Sequence, residues 1–426
     1  MKKKIAFISE HASPLASLGG VDSGGQNVYV AELAKYVSTI GYEIDIFTRW
    51  ENASLPEIVD WLPSVRVIHV EAGPKQVIPK EQLLQHMTEF KESMLSFIKD
   101  QRVGYALIHA NFWMSALVAS QLKEVLSVPF VVTFHALGHV RRIYQGDQDK
   151  FPAERLLIEE ETVQKADHII AECPQDRADL IKYYNASPDK ITIVPCGFNP
   201  QEFYPVKQSI ARAIVNLSTK ENIILQLGRM VPRKGVDNVV KALACAKKND
   251  LSIRLVIVGG ESDNPDPRFC PEIARLQQIA QEEGVLEYIT FVGRKDRAML
   301  KYYYSAADVF ITTPWYEPFG ITPLESMACG TPVIGSNVGG IKYSIANGKT
   351  GFLVPPNDPE ALSNKICELL GNQTLLHAMK DNAIKRVNAL FTWAKVANSA
   401  TCLYENILYP VAQSADNKTK RKIQAA

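Results

Sequence analysis

Two glutamates stand eight residues apart in Glu317-Pro318-Phe319-Gly320-Ile321-Thr322-Pro323-Leu324-Glu325, across a turn containing proline and glycine. A carboxylate accepts two hydrogen bonds from a vicinal diol, as in ribose or a sugar ring. Backbone N–H groups exposed from Phe319 to Thr322 can bind phosphate. A second segment, Gly228-Arg229-Met230-Val231-Pro232-Arg233-Lys234-Gly235, follows an apolar run and opens a helical pattern. Arginine offers a planar fork to phosphate and lysine a point charge, so Arg229, Lys234 and the helix start suit a diphosphate. A third segment, Leu18 to Asn27, holds four glycines within Gly19–Gly25 just before a helix. Glycines let N–H groups approach an anion, and the helix dipole favours negative charge there. Its spacing matches neither a dinucleotide fingerprint nor a P-loop. His135, in Thr133-Phe134-His135-Ala136-Leu137-Gly138, follows an apolar run directly. Taken singly, each segment is also compatible with a solvated loop, a helix-start charge or a structural histidine.

The elements that must hold these residues alternate along the chain. Ile5–Ile8, Ile44–Thr48, Val65–Val70, Leu107–His109, Phe130–Thr133, His168–Ala171 and Ile191–Val194 are short apolar runs separated by helical patterns. The pattern restarts with Asn222–Gly228, a helix from about Val236 to Lys247, and runs at Arg254–Gly259, Tyr288–Val292, Val309–Ile311 and Pro332–Gly335. Continuous apolar runs between helices indicate parallel strands buried on both faces, hence α/β. The expected fold is two Rossmann-like doubly wound domains facing across a cleft. Residues 1–205 form the first and 206–385 the second. A C-terminal helix over 386–412 returns to the first, and 413–426 is a basic tail. Ligands in such folds bind beyond the carboxyl ends of the strands, where all four segments fall.

Composition bounds the partners. Lys plus Arg is 47 and Asp plus Glu 46, a net charge of +1, with 46% hydrophobic residues. Such a balance excludes a disordered chain and argues against nucleic-acid binding. No apolar stretch is long enough to span a membrane, and the apolar run after Met1-Lys2-Lys3-Lys4 is too short for a signal peptide. Seven scattered cysteines without a Cys-x-x-Cys pair fit a reducing, cytoplasmic setting, and the histidines lack metal-ligand spacing. No metal or cofactor is expected.

Together, Glu317-Pro318-Phe319-Gly320-Ile321-Thr322-Pro323-Leu324-Glu325, Gly228-Arg229-x-x-x-x-Lys234-Gly235, Asp22-Ser23-Gly24-Gly25-Gln26 and Thr133-x-His135-x-Leu137-Gly138 resemble the retaining glycosyltransferases of family 4, with the GT-B fold. The resemblance spans nearly the whole chain. It implies that Arg229 and Lys234 neutralise a donor diphosphate and that Glu325 holds the ribose. Glu317 and His135 would contact the transferred sugar. Gly25, Gly228, Arg294, Phe319, Gly320, Ile321 and Thr322 would complete the donor side. It implies UDP-glucose as co-substrate, metal-independent chemistry and front-face attack by the acceptor. The Asp22–Gln26 loop is similar to that of sucrose-phosphate and sucrose synthases. Asn27-Val28-Tyr29-Val30 also resembles inositol-phosphate transferases.

Both phosphate-using groups place basic residues where this chain has Lys80, Arg141 and Arg155, expected to converge on an acceptor phosphate, with Gly24, Gln26, Asn27, Phe112 and Ala136 alongside. Relatives often carry His-Tyr-Trp where this chain has Asn111-Phe112-Trp113; the tyrosine hydroxyl lost here would remove one hydrogen bond to the phosphate, worth about 1.5–3 kcal/mol if charge-assisted. The expectation is glucose transfer to fructose 6-phosphate. The alternatives are a sucrose synthase-like or inositol-phosphate acceptor, or a GT-B epimerase.

Overall fold

The computed structural model describes residues 2–16, 24–247, 252–260 and 262–410. Of the glycine-rich segment, Gly19, Gly20, Asp22 and Ser23 lie outside them, as does the tail 413–426. Eight strands form the first sheet: β1 (Lys4–Ile8), β2 (Glu43–Arg49), β3 (Ile58–Leu62), β4 (Val65–Val70), β5 (Leu107–Asn111), β6 (Phe130–Thr133), β7 (His168–Ala171) and β8 (Ile191–Ile193). Their order is β3-β4-β2-β1-β5-β6-β7-β8. All pairs are parallel except β3 with β4. The second sheet holds β9 (Asn222–Leu227), β10 (Ile253–Val258), β11 (Ile289–Gly293), β12 (Val309–Thr312), β13 (Val333–Ser336) and β14 (Gly351–Val354). Its order, β11-β10-β9-β12-β13-β14, is that of a dinucleotide-binding sheet, and every pair is parallel.

Strands β1, β5 and β6 are almost wholly buried, as helices on both faces require, and β5 buries His109 and Asn111 along with its apolar residues. The sequence reading missed β3, whose Ile58-Val59-Asp60-Trp61-Leu62 is half exposed at the sheet edge, and the four-residue β14. The connections leave to opposite sides of the sheet between β1 and β5 and between β9 and β12. Crevices at such switch points take ligands.

The chain crosses between the sheets twice, side by side. Phe198 N–H donates to the Phe391 carbonyl at 2.8 Å, and Trp393 N–H to the Phe198 carbonyl at 3.1 Å. The helix Gln373–Leu390 packs on the second unit and runs past the expected boundary at 385. The return begins only at Phe391. The helix Trp393–Leu408 then lies on Gly25–Thr39. Its Tyr404 hydroxyl meets His109 Nδ1 at 2.7 Å, inside the first unit. Burial pushes the His109 imidazole down to about 3, so it stays neutral as an uncharged core group. Among the described residues no helix is long and apolar enough to cross a membrane.

Candidate active site

The two switch points face each other across a cleft of about 560 Å³. From the second unit, β9 ends at Leu227, and the chain continues through Gly228-Arg229 to a single turn, Pro232–Lys234, before the helix Val236–Lys247. Gly235 closes that turn at φ +65°, close against the Thr313 backbone, where a side chain would both strain and clash. Beyond β12, the loop to Thr322 carries Glu317 over this turn.

Lys234 Nζ donates to the Glu317 carboxylate, and Arg233 Nη1 stands 3.8 Å from it. Burial pushes the Lys234 ammonium down to about 8, against the pull of Glu317. Burial alone would raise the Glu317 carboxyl, but Lys234, Arg233 and Arg229 overcome it and hold it below its usual range. The result is one carboxylate among three cationic side chains, a setting that attracts an anion. Glu325 is 3% exposed. It accepts from Arg297 Nη1 and from the Tyr304 hydroxyl, both at 3.0 Å. Arg297 Nε in turn donates to Glu202 at 2.6 Å.

On the first unit His135 follows β6 with φ +58°. This left-handed conformation is costly for a residue with a Cβ and clusters at functional sites. Its Nδ1 lies 3.0 Å from Glu172 Oε1 and its Nε2 3.2 Å from Asn111 Oδ1. Phe112, after β5, also has positive φ, +89°, and its ring lies edge-on to His11 at 4.9 Å.

The cleft is lined by His135, Arg229, Lys234, Glu317, Gly25, Gly228, Arg294, Phe319, Gly320, Ile321, Thr322 and Glu325, all assigned from the sequence to the sugar or donor. It is also lined by Gly24, Gln26, Asn27, Lys80, Phe112, Ala136 and Arg141, assigned to the acceptor. Arg155 does not line it, so the expectation that three basic residues share the cleft is corrected: Lys80 and Arg141 line it and Arg155 does not. Arg155 is 1% exposed. Its Nε donates to Glu159 at 2.7 Å and its Nη2 to the Ala136 carbonyl at 2.5 Å. Its guanidinium sits 4.6 Å from the Phe151 ring and 5.0 Å from Phe112. Glu159 also accepts from Gly138 N–H. The pair therefore pins the turn that follows His135. The physical reason is helical phase: Arg155 and Glu159 lie on the inward face of the helix Glu154–Lys165.

Removing one member of a buried pair strands the other, at about 3–5 kcal/mol. Arg155→Ala is thus expected to lose about that much stability in urea unfolding. An unchanged unfolding midpoint with a raised acceptor KM would return Arg155 to the cleft.

Sequence reasoning missed His11, Arg233, Tyr316, Glu172 and Arg297, which also line the cleft. His11, Glu172 and Arg297 lie one to four residues beyond a strand end, the signal that could have found them. Arg233 and Tyr316 adjoin residues already chosen.

Comparison with known proteins accords with this geometry. Residues 23–202 match the model of Glycosyltransferase Family 4, and residues 207–386 that of Glycosyl transferases group 1. The chain is 33% identical over 413 residues to a D-inositol 3-phosphate glycosyltransferase of Corynebacterium glutamicum, covering 95% of this chain and 97% of that one. It is 34% identical over 412 residues to one of Thermobispora bispora, covering 95% of each. Among solved structures it is similar to a sucrose-phosphate synthase from Thermosynechococcus elongatus, with TM-score 0.88 and 36% identity over 96% of this chain and 100% of that one.

Proposed function

Because the chain belongs to the glycosyltransferases of family 4, with the GT-B fold, we propose that it moves glucose from UDP-glucose, with retention, to a phosphorylated sugar. Fructose 6-phosphate is the acceptor put first, with sucrose 6-phosphate as product. The observation that carries this is cationic residues on both walls of one cleft: Arg229, Arg233 and Lys234 on one, Lys80 and Arg141 on the other. A diphosphate and a monophosphate meeting between the domains would use both.

In the reaction the bond from the sugar's anomeric carbon to the diphosphate breaks, and negative charge grows on the departing phosphate. Lys234 and Arg229 are assigned to stabilise that charge where it develops. The acceptor hydroxyl attacks from the same face and passes its proton to the departing phosphate oxygen. Glu317 and His135 hold the transferred sugar, and Glu325 the ribose. These side chains supply the charge compensation, so activity is expected to survive EDTA.

D-inositol 3-phosphate as acceptor is the second reading, favoured by the relatives named above. The purified protein is to be incubated with UDP-glucose, EDTA and, separately, fructose 6-phosphate, fructose and D-inositol 3-phosphate, reading UDP release, product mass and anomeric configuration by NMR. Product with fructose 6-phosphate alone supports the first reading, and with inositol phosphate alone the second. Release of UDP with an isomerised free sugar and no acceptor dependence would make the protein an epimerase. Lys80→Ala should raise the acceptor KM about tenfold or more while leaving the donor KM nearly unchanged.

A further inference from the structure

Tyr316 stands directly before Glu317, and its ring is held from both sides. The Arg233 guanidinium lies 5.3 Å from its centroid, within its own unit. From across the cleft, Tyr144 stacks on it with centroids 5.2 Å apart and planes 18° from parallel. The next residue, Gln145, donates its Nε2 to the Tyr316 hydroxyl. The same amide's Oε1 accepts from Arg141 Nη2 at 3.1 Å. Arg141 is in turn set by Asp149, at 3.0 Å from its Nη2. Gln145 therefore uses both ends of one amide. Its oxygen holds the acceptor-side cation, and its nitrogen holds the residue that begins the donor loop.

We propose that Gln145 and Tyr316, supported by the Tyr144 stack, are positioning residues that couple the two half-sites. An acceptor drawn onto Arg141 keeps the Gln145 amide turned toward Tyr316. Glu317 is thereby held in register with the donor sugar. The primary amide is required because a single group must donate on one side and accept on the other. A stacked tyrosine pair adds area without closing off rotation of the units, so the amide supplies the direction. Coupling of this kind is reciprocal: an acceptor strengthens UDP binding by the factor that UDP strengthens the acceptor. The proposal rests on Arg141 facing the acceptor, but its test does not depend on which acceptor is used.

The test is a double-mutant cycle on the full chain with Gln145→Leu, Tyr316→Phe and both together, run with whichever acceptor gives product. Tyr144 and Gln145 are exposed and half-buried, so the variants at these positions are expected to fold, checked by unchanged thermal midpoints. Each single change should raise the acceptor KM about fivefold to tenfold, the worth of one neutral hydrogen bond. The double variant should be no worse than Gln145→Leu alone, which already removes the bond lost in Tyr316→Phe together with the one to Arg141. The UDP Kd measured calorimetrically without acceptor should move less than twofold. Its tightening by acceptor should disappear in all three variants. Tyr144→Ala, which keeps the bond, should lose only part of that tightening. Additive losses, a UDP Kd that shifts as much as the acceptor KM, or unchanged kinetics would each overturn the proposal. Failure of fructose 6-phosphate as a substrate would overturn only the acceptor assignment.

Discussion

Replacing Lys234 with alanine is expected to lower kcat by about 10²- to 10³-fold, the usual loss when one preorganised charge partner of a transition state is removed. Donor KM should change far less. Lys234 reaches Glu317 in the resting cleft, so part of its attraction to a diphosphate is offset by the pair it leaves. What it adds grows with the charge that appears as the bond to phosphate breaks, and interactions of that kind act on kcat. The side chain is 19% exposed, little enough for the charge to act at low dielectric.

The same residue fixes the pH dependence. Burial holds its ammonium near 8 in the free enzyme, and a bound diphosphate would stabilise the charged form. The transition-state stabilisation tied to the charged Lys234 is therefore fully present below that value. It falls as pH rises through it, by up to about tenfold per unit. kcat/KM for the donor should bend downward near pH 8. Lys234→Arg, whose guanidinium does not titrate there, should lose the bend while remaining slower than the wild type, because a fork does not fit a point-charge position. A Lys234→Ala variant within fivefold of wild-type kcat, or an alkaline limb that survives in Lys234→Arg, would remove Lys234 from the clamp.

Gly340→Ala should cost at least about a hundredfold in kcat/KM with only a modest fall in stability. Gly340 donates its N–H to the carbonyls of Glu317, at 3.3 Å, and Pro318, at 3.0 Å. It thereby holds the donor loop from beneath. A Cβ at this position would stand 2.8 Å from the Phe319 carbonyl carbon and closer still to neighbouring backbone atoms. Backbone has no rotamer by which to escape, so the loop itself must move. Displacement of a positioning loop by about 1 Å can cost a hundredfold in rate. The fold should survive, because Gly340 leads into the short helix Ile341–Ser344 with an ordinary helical φ of −72°. Comparing UDP affinity, kcat/KM and thermal midpoint for this variant separates the two effects. A loss of stability that accounts for all the lost activity would mean the glycine serves packing alone.

Most of the cleft lining from the second unit was legible in the sequence because its signals are local. A parallel strand buried on both faces must read as a continuous apolar run, and the ligand-facing residues must come just after it. Gly228, Arg229 and Lys234 follow β9, Glu317 follows β12, and His135 follows β6 within two residues. Such placements need only chain geometry, which adjacent residues dictate. The half-exposed edge strand β3 gave no such run and went unread.

Direction across the fold was decided elsewhere. Arg155 and Arg141 look alike as sequence, two basic residues near helices beyond His135. Only packing turns the first inward onto Glu159 and the Ala136 carbonyl and leaves the second on the cleft wall. The phase of a helix against its neighbours is set by contacts among distant segments, and no local spacing encodes it. The Gln145 bridge to Tyr316 and the fit of Gly340 under Phe319 belong to the same class. The first joins residues of the two units, and the second joins the loops after β12 and β13, which meet only when the second sheet has formed. Residue types and order marked the candidate groups; the tertiary structure chose which of them face the cleft and how the two walls are joined.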